Sequence, residues 1–336
     1  VPTKPPETRG GSGHDRSPGA ATVELPRIKP SEPARLLIRS ALSGAIARIQ
    51  ANDQAVHRGE VEGVHRLRTS TRRLRGELHA FRKFIDPVWR EPIEDELKWL
   101  AGELGEVRDL DVLDERLRAA AAKLRWDDRA DDLPHDETPA SALAPLFQSI
   151  RDRHALASAK LREALQGDRY ARLVWAIDPA LQSALPIVRD KADMPCREAL
   201  PPIVQGTWKG LKRKARALSP DDHEEAFHDV RKRCKRARYT AELVAPALGR
   251  KAGEQALKYI RLVTRAQDIL GEHQDASVAI EEIERVRDQH AKNRRFVLAC
   301  ELLIEDQREA ARSARESFFQ HWKKFDRKRY RRWMNP

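Results

Sequence analysis

The segment that decides the fold is Val64-His-Arg-Leu-Arg-Thr-Ser-Thr-Arg-Arg-Leu-Arg75, because the chain contains a second version of it, Phe227-His-Asp-Val-Arg-Lys-Arg-Cys-Lys-Arg-Ala-Arg238. When the histidines at the second position of each segment are aligned, four basic positions align with them. A repeated segment of this kind indicates a repeated structural unit. Because both copies are strongly basic, we expect them to share one anionic ligand.

A second pair of motifs supports the repeat. Leu104-Gly-Glu-Val-Arg-Asp109 and Leu270-Gly-Glu-His-Gln-Asp275 follow the basic segments at nearly the same separation in both copies. Two tandem units are therefore predicted, over residues 34–190 and 191–336. Residues 1–33 are rich in Pro and Gly and poor in large apolar side chains, which predicts a disordered tail.

Composition narrows the class of protein. The chain has 336 residues, of which 40% are hydrophobic, enough to bury a sizeable core. It carries 64 Lys and Arg against 52 Asp and Glu, a net charge of +12. This excess favours a polyanionic partner, although a highly charged helical surface can also be basic merely for solvation.

Cysteine usage and hydropathy predict the compartment. The three cysteines have no Cys-x-x-Cys spacing, which favours a reducing compartment over a disulfide framework. No apolar run approaches the roughly 20 residues of a membrane span. We therefore expect a cytoplasmic protein with no membrane partner.

From residue 34 onward the apolar residues recur at helical intervals, and few windows alternate like strands. This pattern predicts an all-α protein with two antiparallel four-helix bundles related by an approximate twofold axis. Pro186 and Pro195 mark the expected junction, and 127–139 is a predicted loop. Beyond the first helix, the predicted helices cover 60–85, 91–124, 140–166, 168–184, 196–217, 221–245, 251–290 and 292–326.

The basic segments predict helices with one cationic face. In the first copy, His65, Arg68, Arg72, Arg75 and His79 fall within a stripe about 80° wide, and the leucines form a separate apolar stripe. The second copy repeats this stripe with His228, Arg231, Lys235 and Arg238. Neither stripe has acidic partners one turn away, so the charge either awaits an anionic ligand or is neutralised by carboxylates of neighbouring helices.

Two further basic rows are candidate binding residues. Lys258, Arg261 and Arg265 form one row, close in sequence to the second Leu-Gly-Glu motif. Lys209, Lys212 and Arg213, continued by Arg216, form the other near the start of the second unit. Solvated helix faces are the alternative explanation for both rows.

The two motif pairs, repeated in both units, resemble the conserved histidine α-helical domain, or CHAD, family over roughly residues 34–330. The resemblance implies two four-helix bundles around a basic central pore that binds inorganic polyphosphate. Ala276-Ser277 departs from Leu110-Asp111 of the first copy, which puts strict equivalence of the two ends in doubt. By position, the implied ligand residues are His65, Arg68, Arg72, Arg73, Arg75, His228, Arg231, Lys235, Arg236 and Arg238.

The histidines and the motif aspartates allow more than one role. His65 and His228 can donate to phosphate, or they can pack at the start of their helices. Asp109 and Asp275 are interpreted as structural residues that accept hydrogen bonds from arginine or begin a helix.

No catalytic, cofactor or metal motif is found. There is no phosphate-binding loop of the Walker or dinucleotide type and no His-Glu-x-x-His. Glu94-Asp-Glu-Leu-Lys98 matches a triphosphate-hydrolase signature that belongs on a strand, but here it lies in a helical pattern, where alternate residues face apart. His223 and His228 are five residues apart, rather than the four that place two ligands on one face. We therefore predict a protein that is not an enzyme and needs no cofactor or metal.

The C-terminal run 320–336 keeps nucleic acid as an alternative ligand. It interleaves Trp322, Phe325, Tyr330 and Trp333 with seven basic residues, as in single-stranded nucleic-acid sites. A final amphipathic helix that buries its aromatic side chains is the favoured interpretation. The sequence thus predicts non-catalytic binding of inorganic polyphosphate, with targeting to polyphosphate granules as a further expectation and nucleic-acid binding as the alternative.

Overall fold

The computed structural model describes residues 28–57, 62–127, 138–183 and 186–334, and within them the chain forms helices but no strands. This confirms the all-α prediction. The helices are α1 (Ala34–His57), α2 (Gly63–Ala80), α3 (Pro87–Ala121), α4 (Pro139–Ala142), α5 (Ala144–Gln166), α6 (Asp168–Ser183), α7 (Arg189–Ala192), α8 (Cys196–Ala199), α9 (Pro201–Ala217), α10 (Glu224–Val244), α11 (Arg250–Gln289) and α12 (Arg294–Phe325).

The predicted helices differ from the observed ones mainly at their ends. The third helix starts at Pro87 rather than 91, because the side chain of Asp86 caps it by accepting a hydrogen bond from the Val88 backbone N–H at 2.9 Å. The helix predicted over 196–217 is divided at Leu200. The break precedes Pro201 and Pro202, which have no backbone N–H to continue the helical ladder.

The structure differs from the predicted disordered tail at residues 28–33, which are packed against the rest of the chain. Residues 1–27 lie outside the described part of the chain, as do 128–137 of the predicted loop. Ile28 is buried, and the carbonyl of Glu32 accepts a hydrogen bond from the Cys196 N–H at 2.9 Å. Residues 28–33 therefore pack onto the start of the second unit, where local composition alone suggests disorder.

Each predicted unit contributes one set of long packed helices. In the first, α2 packs between α1 and α3, and α3 packs on α5. In the second, α10 packs between α9 and α11, and α11 packs along α12. The two sets meet where α2 contacts α10, which brings the two basic segments together. The approximate twofold axis itself stays a prediction, as do the unit boundaries.

An aromatic cluster packs α9, α11 and the end of α12 together in the second set of helices. The rings of Trp208 and Trp322 stack with centroids 5.7 Å apart, and Phe325 meets Trp208 edge-on at 5.2 Å. Trp333 packs against the fully buried Tyr259 at 5.8 Å. Three of the four aromatic residues of the C-terminal run are thus core residues, as the packed-helix interpretation predicts.

Among the described helices, none is long and apolar enough to cross a membrane.

Candidate functional site

Helix α2 separates its apolar and cationic residues as the sequence pattern predicts. Leu67, Leu74 and Leu78 are almost completely buried in the core. Arg68 and Arg72 lie on a different face and remain partly accessible. The apolar contacts position the helix, and the basic side chains therefore project from a fixed backbone.

Helix α10 has the same division. Val230, Cys234 and Ala237 have no exposed surface, whereas Arg231 and Lys235 keep part of theirs. The Cys234 thiol is fully buried, and burial raises its pKa, so it is a core residue rather than a nucleophile.

The two cationic stripes meet around Lys235. Burial, followed by the charges of Arg72, Arg231, Arg68 and Arg238 in that order, lowers the pKa of Lys235 from 10.5 to about 7. We call these five side chains the central cluster. Two of its members come from α2 and three from α10, so both copies of the basic segment contribute. No carboxylate is among the described groups that shift the pKa of Lys235.

The contact between α2 and α10 extends toward the C-terminal ends of both helices. Burial lowers the pKa of Arg75, the attraction of Glu94 opposes that shift, and repulsion from Arg236 of α10 adds to it. A Cβ atom on Gly76 of α2 would lie 3.4 Å from the Tyr239 ring of α10. The helices are therefore in close contact here, and the like charges of Arg75 and Arg236 are held near each other.

The glycine of each Leu-Gly-Glu motif lies beside an arginine of the central cluster. A Cβ atom on Gly105 of α3 would lie 4.0 Å from Nε of Arg68, and one on Gly271 of α11 would lie 3.7 Å from Nε of Arg231. In both copies the helix that carries the motif thus packs close to the guanidinium group. Sequence reasoning missed this role, although the repeated glycine at a matching position was the available signal.

Two arginines of the central cluster have a carboxylate neighbour. Arg68 donates a 2.6 Å hydrogen bond to Asp109, as the structural interpretation of that aspartate predicts. Asp109 is 68% exposed, whereas Arg68 is 18% exposed. Arg238 lies 3.7 Å from Glu242 on its own helix.

Arg73 differs from the other implied ligand residues. It donates to the buried Glu77 at 3.1 Å, and Arg48 of α1 approaches the same carboxylate at 3.6 Å. The structure therefore places Arg73 at the contact between α1 and α2, about 140° around the helix from Arg68.

The two histidines lie at the N-terminal end of the cationic stripes and are both partly buried. His228 forms a side-chain hydrogen bond with Gln274 of α11, and burial together with Lys232 and Arg231 lowers its pKa. Its Nδ1 atom is buried without a hydrogen-bond partner among the described residues. His65 is partly buried at the matching position of α2.

Six of the predicted binding residues lie apart from the central cluster. Lys209, Lys212 and Arg213 are on α9, which packs on the far side of α10: its Lys214 lies 3.1 Å from Asp229, about 160° around the helix from Arg231. Lys258, Arg261 and Arg265 are exposed on α11, on average about 110° around that helix from Gly271.

Glu94, the first residue of the run that matches the triphosphate-hydrolase signature, lies within helix α3 rather than on a strand. Its carboxylate accepts a hydrogen bond from Arg90 of the same helix. Within the described residues, no group of three or more His, Cys, Asp or Glu could hold a metal ion.

Two curated proteins are similar to this chain in sequence. Two uncharacterized proteins of Mycobacterium tuberculosis, MT2285 and Rv2226, are each 29% identical over 275 residues, covering 80% of this chain and 47% of their own length. The chain thus spans about half the length of the curated relatives it matches.

Two solved structures are similar in fold. PptA from Streptomyces chartreusis matches 87% of this chain and 99% of its own with a TM-score of 0.69 and 23% identity. The CHAD domain from the plant Ricinus communis matches 90% of this chain and 97% of its own with a TM-score of 0.61 and 22% identity. The family model of the CHAD domain matches residues 40–284, a span that includes both basic segments and both Leu-Gly-Glu motifs. The chain therefore belongs to the CHAD domain family.

Proposed function

We propose that the chain binds inorganic polyphosphate through the central cluster and catalyses no reaction on it. The observation that carries this proposal is Lys235, a partly buried ammonium group whose pKa is lowered by four arginines from both copies of the basic segment, where α2 and α10 are in contact. Holding five like charges together costs free energy in the absence of a ligand. A bound polyanion offsets this repulsion, so the arrangement of the five cations favours polyanion binding.

The side chains suit a linear chain of phosphates. Arginine donates through a planar fork that matches two phosphate oxygens, and lysine adds a compact charge. Each charge-assisted hydrogen bond contributes about 1.5 to 3 kcal/mol in favourable cases, so several together suffice for tight binding after ordering costs. The cations come from two helices in direct contact, so they converge on a small area, which favours a single narrow chain over a duplex.

Because the site draws on both copies, long chains should bind more tightly than short ones. A short oligophosphate can engage the arginines of one helix, whereas a long chain can engage both. Recruitment to polyphosphate granules in the cytoplasm would follow from this multivalent binding.

The test is a calorimetric titration of long-chain and short polyphosphate against four proteins at fixed salt. They are the wild type, Arg72→Ala with Arg75→Ala, Lys235→Ala with Arg238→Ala, and a control with Arg162→Ala and Arg172→Ala. The control removes the same charge from exposed positions on α5 and α6. Each site pair should lose at least tenfold in affinity for long chains and less for short ones, and the control should lose little.

Two results would contradict the proposal. Equal losses in all three variants would mean that net charge alone attracts the polymer. Release of orthophosphate when the wild type is incubated with polyphosphate and a divalent metal ion would show that the protein is an enzyme.

A further inference from the structure

A second basic surface covers the outside of the second set of helices. It consists of α9, residues 255–267 of α11, and residues 320–334 at the end of α12 and beyond. These three segments contain 15 Lys and Arg and one carboxylate, Asp326. We call their solvent-exposed side the outer basic face. Its exposed cations are Lys209, Arg213, Lys214, Arg216, Lys258, Arg261, Arg265, Lys323, Lys324, Arg327, Lys328, Arg329 and Arg332.

Direct contacts join the three segments into one surface. Arg216 of α9 lies 2.6 Å from Asp326 after α12, and Arg331 lies 3.3 Å from the same carboxyl group. The guanidinium group of Arg331 also stacks over Trp208 of α9 at 4.3 Å. The one carboxylate of these three segments is therefore already neutralised by two arginines, and Lys214 is paired with Asp229 of α10 at 3.1 Å.

Helix α11 joins the same surface through His321. This side chain donates to the Leu262 carbonyl at 2.8 Å, which fixes the end of α12 beside the basic row of α11. Burial, and then the nearby charges of Arg265 and Lys324, lower the pKa of His321. Those two cations therefore lie on either side of the contact between α11 and α12.

Several of these cations have no side-chain partner among the described residues. No side-chain hydrogen bond or ion pair there involves Lys209, Arg213, Lys258 or Arg261. By contrast, exposed arginines elsewhere in the chain commonly pair, as Arg169 does with Glu96 at 2.7 Å. Unmatched like charges on neighbouring helices repel one another, so this arrangement favours a ligand that supplies many negative charges at once.

The shape and chemistry of the face identify the kind of polyanion. Trp322, Phe325 and Trp333 are buried, so they are not available to stack on the bases of a single strand. Charges spread over three adjacent elements match a ligand that presents phosphates over an area, and a nucleic-acid duplex carries one charge per about 1.7 Å along two strands. Leu257 is the large apolar side chain exposed within these segments, too little to anchor the protein in a bilayer.

We propose that the outer basic face binds the phosphate backbone of double-stranded nucleic acid without reading its base sequence. This site is separate from the central cluster and does not depend on the function proposed for it. Because contacts to phosphate carry no sequence information, affinity should be set by the number of cations engaged and by salt.

The experiment measures binding of a 30-base-pair duplex of arbitrary sequence by fluorescence anisotropy at several salt concentrations. The outer variant combines Lys209→Ala, Arg213→Ala, Arg261→Ala and Arg265→Ala. Its matched control combines Lys83→Ala, Lys98→Ala, Arg162→Ala and Arg172→Ala, all at exposed positions of the first unit. The outer variant should bind the duplex at least tenfold more weakly, with a salt slope smaller by up to about 0.9 for each lost contact, and the control should bind nearly as the wild type does.

The two sites are distinguished by the variant Arg72→Ala with Lys235→Ala, which should lose polyphosphate binding and keep duplex binding. The outer variant should lose duplex binding and keep polyphosphate binding. The proposal is overturned if the central variant loses the duplex, if the control loses as much as the outer variant, or if a single strand or vesicles with anionic lipid bind the outer face while the duplex does not. Circular dichroism of each variant confirms that the helices are retained.

Discussion

Lys235 should make polyphosphate binding depend on pH in a range where arginines cannot. In the empty protein its pKa is lowered to about 7 by burial and by Arg72, Arg231, Arg68 and Arg238. Phosphate oxygens around the ammonium group would favour the charged form and raise that pKa. Binding therefore takes up a proton, and the affinity increases as the pH falls.

The size of the effect follows from the two pKa values. If bound phosphates restore the ordinary pKa of 10.5 from about 7, the binding constant should be about fifteenfold greater at pH 7 than at pH 8.5. In the free protein the pKa of His228 is itself lowered from 6.5, so this imidazole is neutral over the same range, and the Gln variants of the histidines measure any proton that it takes up on binding. Long polyphosphate keeps its internal charges throughout the same range.

The assay is a calorimetric titration at pH 7, 7.5, 8 and 8.5 in two buffers of different ionisation enthalpy, which also counts the protons taken up. Lys235→Arg should bind at pH 8.5 about as well as at pH 7, because arginine stays charged. Lys235→Gln should bind weakly at every pH. Should Lys235→Arg keep the wild-type pH dependence, another group must take up the proton, and our account of the central cluster would be refuted.

Further predictions concern salt, the histidines, the aromatic core and the motif glycine. Raising salt from 50 to 200 mM should weaken polyphosphate binding by at least tenfold, because each engaged cation releases counterions; an unchanged affinity by titration would argue against multidentate capture. Replacing His65 and His228 with Gln should flatten the part of the pH dependence that lies below about pH 7, since bound phosphate favours the charged form of an imidazole that contacts it; a folded variant with the full dependence excludes these residues from the site. Trp208→Ala should lower the free energy of unfolding by about 3 to 5 kcal/mol in denaturant titrations, because this buried indole packs on three other aromatic rings, and a loss below 1 kcal/mol would contradict that packing. Gly271→Ala should bind polyphosphate normally, since its Cβ atom meets Arg231 at an ordinary 3.7 Å, whereas Gly271→Leu should weaken binding by displacing that guanidinium group, an outcome checked by the same titration.

Local pattern was sufficient to predict the helices and the division of α2 and α10 into two faces. The separation of apolar and basic residues around a helix depends only on its period of 3.6 residues, so leucines such as Leu67 and Leu74 could be assigned to the core from the sequence. The ends of elements were harder to predict. Asp86 extends α3 by capping it, and residues 28–33 are ordered through backbone hydrogen bonds to residues distant in sequence.

Local sequence pattern was also insufficient to predict which basic residues form the candidate site. Arg73 and Arg72 are adjacent in sequence and equally basic, but the first pairs with buried Glu77 while the second lies in the central cluster. Lys209 and Arg261 belong to basic rows as regular as those of α2 and α10, yet they lie on the outer basic face.

The sequence by itself determined that the chain has two basic helices of matching pattern, each with a supporting Leu-Gly-Glu motif, in an all-α protein of the CHAD domain family. Only the tertiary structure decided which cations come together, because a helical period specifies the residues that share a face but not the helix which that face will meet. Packing α2 against α10 brought Lys235 among arginines of both copies and lowered its pKa. Packing α9 on the far side of α10 directed an equally basic row to the opposite surface. The difference between the two surfaces is thus a property of helix packing, since the free energy of a buried charge depends on its neighbours in space rather than in sequence.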